Sequence, residues 1–563
     1  MEFLEYLTPI TSHQWGIGSV FLLISIPLIV TRLLTTFWSW RELSAANQKA
    51  PGQKRGPTRP TTIPLIGHIV SFLLDGPGFL YNTARYYGRG IPVRVHLATF
   101  PSYVISGPEL VSAFLKDSTR SLTPMKRSLN YMEHAFGCPH DLVKSFATSD
   151  DKDMEQQIHS ALQNMLSGPR LGILSERYQQ SVKSQVLSVD AGIGDEWVEL
   201  PDLCTFVETH VFQAATRTIF GPSIVDLNPT LAKDFWNFNK RVKTMFLGIP
   251  AWANRTAIRA RDDMTEDIKR WQRHAEKNCN IDEIPEDVEW EEYYGSKSTR
   301  IRQQLLTKRG ITNESARAAE NLSMMWATNA NSIPAACWFL LQTLHDPLLQ
   351  ARVRKELDAV RIHDTEETNK AAAFKFDITG LTESPLCQSV YAEVLRLGVA
   401  AMIVREPTHD NLALGDWKFK KDEFISVPTN NELMDPDFWN SGTPKDPHPL
   451  DKFWADRFLV HPDDPQSGPR KDAKKQKAKS DGKPYFSMDG CTWNWIPYGG
   501  GAHLCPGRNF AKREIMLTSA IMLTAFDIEL LTDTLPKHDK SLFGFGTLPP
   551  IGKAPCRIRR RQL

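Results

Sequence analysis

One cysteine in this chain lies where a glycine-rich turn meets a predicted helix. The glycines of 499–501 precede Cys505, which begins the segment Cys-Pro-Gly-Arg. From Arg508 onward apolar residues recur at helical spacing, so the thiol lies just before a helix N-terminus. There the helix dipole and free backbone N–H groups stabilise a thiolate. The spacing predicts that Cys505 is a metal ligand; a buried structural cysteine is the alternative.

This loop resembles the haem-binding loop of the cytochrome P-450 superfamily, whose pattern is F-G-x-G-x-R-x-C-x-G. The matching positions are, in order, Tyr498, Gly499, Gly501, His503, Cys505 and Gly507. Tyr498 replaces the usual Phe, and His503 replaces the Arg that pairs with a haem propionate. The resemblance implies that Cys505 is the axial thiolate ligand of haem iron and that the matching glycines border the cofactor. His503 would then be a shorter propionate donor whose charge depends on pH.

A second group of polar residues lies inside the apolar stretch 318–345. Its members are Thr328, Asn329, Asn331 and Ser332. Pro334 follows them, and a proline within a helix removes one backbone hydrogen bond and clashes with the carbonyl four residues earlier. We therefore predict one long helix with a kink near Ala330. Because buried polar groups need partners, the kink indicates a polar site for a ligand, here dioxygen and water.

The superfamily helix that corresponds to this stretch usually reads A-G-x-D/E-T-T, and its first Thr helps deliver protons to dioxygen. Alignment on Ala327 puts Ala330 at the acid position and Asn331 at that Thr. The run is similar to the branch that contains cholesterol 7-alpha-hydroxylase, a monooxygenase, and prostacyclin synthase, an isomerase. The resemblance implies catalytic roles for Asn331, Thr328 and Ser332, since an amide can donate to oxygen and hold a water. A structural Asn331 is the alternative.

Charged residues elsewhere fit the same resemblance. Glu393 and Arg396 share a helix face, and in the family E-x-x-R bonds a later arginine, here Arg457, to lock the core behind the haem. These three residues are expected to be structural. Arg405 takes the place of a family arginine that binds a propionate, for which bidentate pairing is suited; a surface arginine is the alternative. His159 stands near the position of another usual propionate contact.

The first residues of the chain indicate a membrane anchor. Between Ile17 and Val30 ten residues are Val, Ile, Leu or Phe, and the apolar run reaches Trp38. Lys and Arg follow this run, whereas residues 1–15 contain none, so the positive-inside rule puts the body in the cytosol. A cleaved signal peptide would need a basic n-region and a small-residue cleavage site. A buried helix is the other alternative. We predict a single-pass anchor in the endoplasmic reticulum membrane, spanning about 16–38.

The anchor defines the domain organisation. We assign 1–45 to the anchor and 46–70 to a basic, proline-rich hinge, because closely spaced prolines keep the chain extended. Residues 71–563 are expected to form one haem-thiolate catalytic domain, mainly α with small β-sheets, as in the cytochrome P-450 fold. Within it, 461–488 is rich in Pro, Asp and Lys, and this composition predicts a disordered insertion. A basic docking surface for a reductase is the alternative reading of that segment.

Composition narrows the possible partners. A net charge of +2 and a pI near 8.0 argue against nucleic acid. The eight cysteines include no Cys-x-x-Cys pair, which disfavours a disulfide framework and a structural zinc site. The glycines follow no Rossmann pattern, so the resemblance implies that electrons come from a separate NADPH-dependent reductase.

These features together predict the function. The resemblance implies a haem-thiolate monooxygenase that uses dioxygen to oxidise a lipophilic substrate, a terpenoid, sterol or polyketide, in secondary metabolite biosynthesis. We expect Trp326 and Phe543 to contact that substrate. A peroxide-rearranging isomerase or dehydratase, which needs no reductase, is one alternative. A non-catalytic haem-binding membrane protein is the other.

Overall fold

The structure is a computed structural model. It describes residues 17–97, 100–116, 121–123, 125–148, 160, 162–164, 166–365, 373–421, 423–472 and 482–562. His159 and residues 473–481 of the predicted insertion lie outside the described residues. The chain divides into two compact units. The first consists of Met1–Leu122 and Val404–Val427, and the second of Thr123–Ile403 and Pro428–Leu563.

Helices make up most of the regular structure, as the sequence predicts. They are α1 (Ile17–Asn47), α2 (Ile69–Leu74), α3 (Gly76–Ala84), α4 (Pro108–Lys116), α5 (Met125–His134), α6 (His140–Thr148), α7 (Gly168–Val186), α8 (Leu203–Phe220), α9 (Ser223–Asp226), α10 (Leu231–Asn239), α11 (Val242–Phe246), α12 (Arg255–Asn278), α13 (Lys297–Lys308), α14 (Glu314–Asn329), α15 (Ser332–His345), α16 (Pro347–Val360), α17 (Ile378–Glu383), α18 (Pro385–Gly398), α19 (Thr429–Leu433) and α20 (Arg508–Ala525).

The strands are short. They are β1 (Val93–Leu97), β2 (Phe100–Val104), β3 (Leu122–Thr123), β4 (Val198–Leu200), β5 (Trp290–Glu291), β6 (Gly295–Ser296), β7 (Arg361–His363), β8 (Phe374–Phe376), β9 (Val399–Pro407), β10 (Leu412–Leu414), β11 (Trp417–Phe419), β12 (Phe424–Pro428), β13 (Leu459–Val460), β14 (Tyr485–Phe486), β15 (Phe526–Leu530), β16 (Lys537–His538), β17 (Phe545–Thr547), β18 (Pro550–Ile551) and β19 (Cys556–Arg560).

The first unit is built on a small sheet. Strands β1 and β2 are antiparallel, with Val93 opposite Val104, and β12 runs parallel to β2, with Phe424 opposite Ser102. Val93 and Val104 are fully buried, so the sheet carries its own apolar core. Strands β10 and β11 form a separate antiparallel pair.

Helix α1 belongs to the first unit, and by length and composition it is apolar enough to cross a membrane. Its second half is bonded to the body of that unit. Arg32 Nη1 donates to the Pro60 carbonyl oxygen at 2.8 Å, and Thr35 Oγ1 donates to that of Thr61 at 2.9 Å. Near its end Glu42 forms an ion pair with Arg94 at 2.9 Å. The helix is therefore attached to the body from Arg32 onward.

The second unit is a helical assembly around one large apolar core. Helix α15 lies at its centre, since twelve of its fourteen residues are buried and it contacts α8, α18 and α20. Its sheets are small. Strand β17 pairs antiparallel with the first residues of β9, and β19 joins β15 to β4.

Both ends of the predicted disordered insertion, 461–488, are folded in the structure. Strand β14 pairs with β13 through Phe486 and Leu459, and Asn440 N donates to the Pro469 carbonyl oxygen at 2.8 Å. Both ends of 461–488 are therefore folded onto the second unit, and the prediction of disorder was wrong for these ends. Composition alone missed this because apolar residues such as Phe486 provide local anchors within a polar segment.

Candidate functional site

The cysteine loop presents a half-buried thiol at the start of a helix. Gly499 and Gly501 take φ values of +74° and +66°, a region that favours glycine. The turn brings Cys505 N to within 3.1 Å of the Tyr498 carbonyl oxygen, and α20 begins three residues later. Burial raises the pKa of the Cys505 thiol, whereas the backbone N–H groups of Gly507 and Arg508 lower it by bonding to the sulfur. Those donors stabilise a thiolate.

Two aromatic side chains attach this loop to α18. Trp495 Nε1 donates to the Ala392 carbonyl oxygen at 3.2 Å, and the hydroxyls of Tyr498 and Tyr391 lie 2.7 Å apart. Burial raises the pKa of both tyrosines, so both stay neutral. Tyr498, which departs from the usual Phe, therefore has a specific partner that the sequence analysis did not identify.

Helix α18 also carries a buried ionic cluster. Glu393 accepts from Arg396 Nε at 2.7 Å and from Arg457 Nε at 3.0 Å, and the three side chains are 0% exposed. Arg396 also donates to the carbonyl oxygens of Leu433 and Leu450. The structure thus brings together the three residues predicted to lock the core, on the helix to which the cysteine loop is bonded.

The two predicted propionate ligands lie in different parts of the chain. His503 is half-buried in a short 3₁₀ turn, Gly501–His503, two residues before Cys505. Arg405 is half-buried on β9, in the first unit, and its Nη1 donates to the Val404 carbonyl oxygen at 3.0 Å. Their roles toward a propionate stay predictions.

The predicted kink is present and is sharper than expected. Instead of one helix, α14 ends at Asn329 and α15 begins at Ser332. Pro334, in the first turn of α15, has no N–H, so it could not continue the helical hydrogen bonds. The hydroxyl of Ser332 donates to the Thr328 carbonyl oxygen at 2.8 Å and bridges the break. The polar residues predicted to be catalytic therefore meet at one bend.

Within this bend the side chains have different partners. Thr328 Oγ1 donates to the Met324 carbonyl oxygen at 2.9 Å, so its proton is used within the helix. Asn331 Oδ1 accepts from the backbone N–H of Thr547, on β17, at 2.8 Å. The structural alternative for Asn331 assumed a neighbouring helix as its partner, whereas the partner of its amide oxygen is strand β17.

A buried acid next to the bend was missed by the sequence analysis. Glu514 lies on α20, where burial raises the pKa of its carboxyl to about 8 and the Ser332 hydroxyl offsets part of that rise. Its Oε1 has no hydrogen-bond partner among the described residues. The signal was available, because Glu514 shares the apolar face of α20 with Phe510 and Leu517 at i+4 and i+7 spacing.

Aromatic rings surround the end of α14. Trp326 Nε1 donates to Asn239 Oδ1 at 2.9 Å, and its ring lies 5.3 Å from Phe246. Phe246 in turn stacks on Phe545 at 4.9 Å. Phe543, two residues earlier, is also buried. Trp326 therefore lies in an aromatic cluster beside the bend; contact of Trp326 or Phe543 with a substrate stays a prediction.

These residues fit a haem. Cys505 is half-buried and has two N–H groups directed at its sulfur, whereas six other cysteines are buried. The described residues contain no group of three or more His, Cys, Asp or Glu side chains that could hold a metal ion. A single thiolate suits a haem, since the porphyrin supplies four further iron ligands.

Comparison with known proteins agrees with this geometry. The cytochrome P450 family model matches residues 57–554. The chain is 56% identical to the cytochrome P450 monooxygenase fsoE of Humicola fuscoatra, over 97% of this chain and 96% of that protein. It is 27% identical to the cytochrome P450 monooxygenase calL of Penicillium decumbens, over 88% and 91% of the two chains.

One mammalian relative belongs to the branch that the run after Trp326 resembles. The chain is 25% identical to the cholesterol 7-alpha-monooxygenase of Cricetulus griseus, over 74% of this chain and 77% of that protein. The resemblance predicted from the run that follows Trp326 is thereby confirmed for this branch. Because the family model and the first relative both cover nearly the whole chain, the chain belongs to the cytochrome P450 family, and it is a haem-carrying P450 monooxygenase.

Proposed function

We propose that this protein inserts one oxygen atom of dioxygen into a lipophilic substrate, with electrons from a separate NADPH-dependent reductase. A substrate C–H group, dioxygen, NADPH and a proton give the hydroxylated product, water and NADP⁺. The substrate class is a terpenoid, sterol or polyketide of secondary metabolite biosynthesis. Similarity to two fungal monooxygenases and to an enzyme named for cholesterol supports a lipophilic substrate.

The observation that carries the proposal is the polar bend between α14 and α15. Thr328, Asn331 and Ser332 meet where the helical hydrogen bonds are interrupted, and the aromatic cluster around Trp326 lies beside them. A few polar groups within an apolar surrounding are typical of a site that orients an apolar ligand. This combination supports a reaction between a polar small molecule and a lipophilic one.

Each side chain then has a proposed task. Cys505 would hold the haem, which would supply the oxygen activation that a thiolate ligand favours. The amide N–H₂ of Asn331 donates to a ligand, since its oxygen is already bonded to Thr547. The carboxyl of Glu514 is protonated at neutral pH and supplies protons beside Ser332. Ser332 passes them on when its hydroxyl turns away from the Thr328 carbonyl oxygen. The carbonyl oxygen of Thr328 holds the bend by accepting from the Ser332 hydroxyl.

The cellular site follows from α1. We propose that only residues before Arg32, and not the whole predicted span of about 16–38, enter the endoplasmic reticulum membrane. The rest of the chain then lies in the cytosol, where a reductase can reach it. A membrane-bound enzyme meets lipophilic substrates at high local concentration, because such molecules partition into the bilayer. The bonds of Arg32 and Thr35 to the first unit support a body held close to the membrane surface.

The test begins with metabolite profiling of a host with the active protein and with the Cys505→Ala variant. The compound that accumulates in the variant is then incubated with purified protein, reductase, NADPH and ¹⁸O₂. We expect one labelled oxygen atom per product and no product without NADPH. Turnover of a peroxide without NADPH would instead establish the isomerase alternative. Absence of any substrate-dependent NADPH consumption would favour the non-catalytic alternative.

A further inference from the structure

The bend between α14 and α15, called the distal bend below, and strand β17 are far apart in sequence. They share one side-chain hydrogen bond. Asn331 Oδ1 accepts from Thr547 N at 2.8 Å across 216 positions. The N–H groups of Gly544 and Leu548 bond to carbonyl oxygens of Ala400 and Gly398. Successive N–H groups of a strand point to opposite sides, so the N–H of Thr547 points away from β9, toward the bend.

Gly546 provides a second observation that strand β17 lies close to Asn331. Its φ is +138°, and a Cβ added there would overlap the Oδ1 atom of Asn331. Any side chain at position 546 would therefore displace the Asn331 amide or the strand. The absence of a side chain at Gly546 allows the strand to come close enough for the bond to Thr547.

Strand β17 also carries an aromatic ring into the cluster near the bend. Phe545 stacks on Phe246 at 4.9 Å, and Phe246 contacts Trp326 at 5.3 Å and Tyr131 at 4.2 Å. Phe545 lies two residues from Thr547, so the position of its ring depends on where the end of β17 is held. The Asn331 bond fixes that end from the side opposite to β9.

We propose that Asn331 is a positioning residue whose amide oxygen holds strand β17, and with it Phe545, against the distal bend. Gly546 is the residue that permits this contact. The inference rests on the proposed function, in which the bend receives oxygen and the aromatic cluster borders the substrate. One amide then contacts both the strand and the ligand: its oxygen accepts from the strand, and its N–H₂ group can donate to a ligand.

The test uses the full-length haem-containing protein and four single variants. Asn331→Ala removes the acceptor, and Gly546→Ala displaces it. Asn331→Asp keeps an acceptor oxygen but loses the N–H₂ donors. Thr547→Ala is the matched control, because the bond uses the backbone N–H of Thr547 and not its hydroxyl. The double variant of Asn331→Ala with Gly546→Ala tests whether both changes act on the same contact.

Hydrogen exchange of the 545–547 backbone amides is the first readout. We expect exchange to accelerate about tenfold in Asn331→Ala and Gly546→Ala, which converts to about 1.4 kcal/mol. The Thr547→Ala and Asn331→Asp variants should exchange like the parent protein. The double variant should exchange no faster than Asn331→Ala, because the atom that the new Cβ would overlap is gone. Unchanged exchange in Asn331→Ala, or additive acceleration in the double variant, would overturn the proposal.

Binding of two haem ligands is the second readout. We expect 4-phenylimidazole, which is larger than imidazole and needs apolar space, to bind about tenfold more weakly to Asn331→Ala and Gly546→Ala, while imidazole binds equally to all variants. Equal losses for both ligands would overturn a role that acts through Phe545. Asn331→Asp separates this inference from the proposed function. If it keeps slow exchange and normal turnover, Asn331 still positions the strand, but its N–H₂ group has no part in the reaction.

Discussion

Replacement of Glu514 by Gln tests whether a protonated acid lies beside the bend. In the folded chain the carboxyl has a pKa of about 8 because it is buried, whereas its ordinary value is 4.5. Between these pH values the folded chain keeps the proton and the unfolded chain loses it. A state that binds more protons is favoured at low pH, so this group makes the folded chain progressively less stable as pH rises from about 4.5 to about 8.

The size of this loss of stability follows from the two pKa values. Each unit of difference corresponds to about 1.4 kcal/mol, so the full effect is at most about 5 kcal/mol above pH 8. Glu514→Gln keeps the shape and has no charge to bury. The free energy of unfolding of the variant, minus that of the parent, should therefore increase between pH 5 and pH 8 and then level off.

The assay is urea unfolding followed by tryptophan fluorescence at pH 5, 6, 7 and 8. Glu286→Gln is the matched control, since this glutamate is exposed in the same unit. A difference for Glu514→Gln that is the same at pH 5 and pH 8 would show that the Glu514 carboxyl has an ordinary pKa and is not a protonated acid beside the bend.

Three further predictions follow from contacts in the structure. Tyr498→Phe should lower the free energy of unfolding by about 1–3 kcal/mol, because it leaves the buried Tyr391 hydroxyl without its partner; the double Phe variant should lose less, and equal or greater loss there would contradict the pairing. Arg457→Ala should lower the free energy of unfolding by roughly 3–5 kcal/mol and reduce the haem content. Arg352→Ala, which breaks an exposed ion pair, should lower the free energy of unfolding by under about 1 kcal/mol. Deletion of residues 1–31 should release folded protein from membranes, as centrifugation would show; continued sedimentation would contradict a single anchor.

The sequence predicted those parts of the site that are continuous in the chain. The cysteine loop, the helix that follows Cys505 and the break near Ala330 are set by glycine, proline and helical periodicity, which act between close neighbours. The α-rich fold was predicted by family resemblance carried on these same motifs. Glu393 and Arg457 were paired by that resemblance as well, and the structure places them 3.0 Å apart.

The contacts that join distant segments left no comparable pattern. The bond of Asn331 to Thr547 connects positions 216 residues apart and uses a backbone N–H, which carries no sequence signature. The pair of Tyr391 and Tyr498 is similar, since either tyrosine alone resembles an ordinary core aromatic. The helix was predicted as one kinked element because a single proline indicates a bend but does not indicate how many residues leave the helix.

The carbon monoxide difference spectrum of the reduced protein tests most directly whether Cys505 binds haem iron. With the thiolate of Cys505 as the ligand of haem iron, the parent protein should show the thiolate-type Soret shift. Cys505→Ala should lose haem, whereas Cys279→Ser, a change at another half-buried cysteine, should keep both haem and the shift. An imidazole-type spectrum in the parent protein, or a thiolate-type spectrum that persists in Cys505→Ala, would show that Cys505 is not the ligand of haem iron.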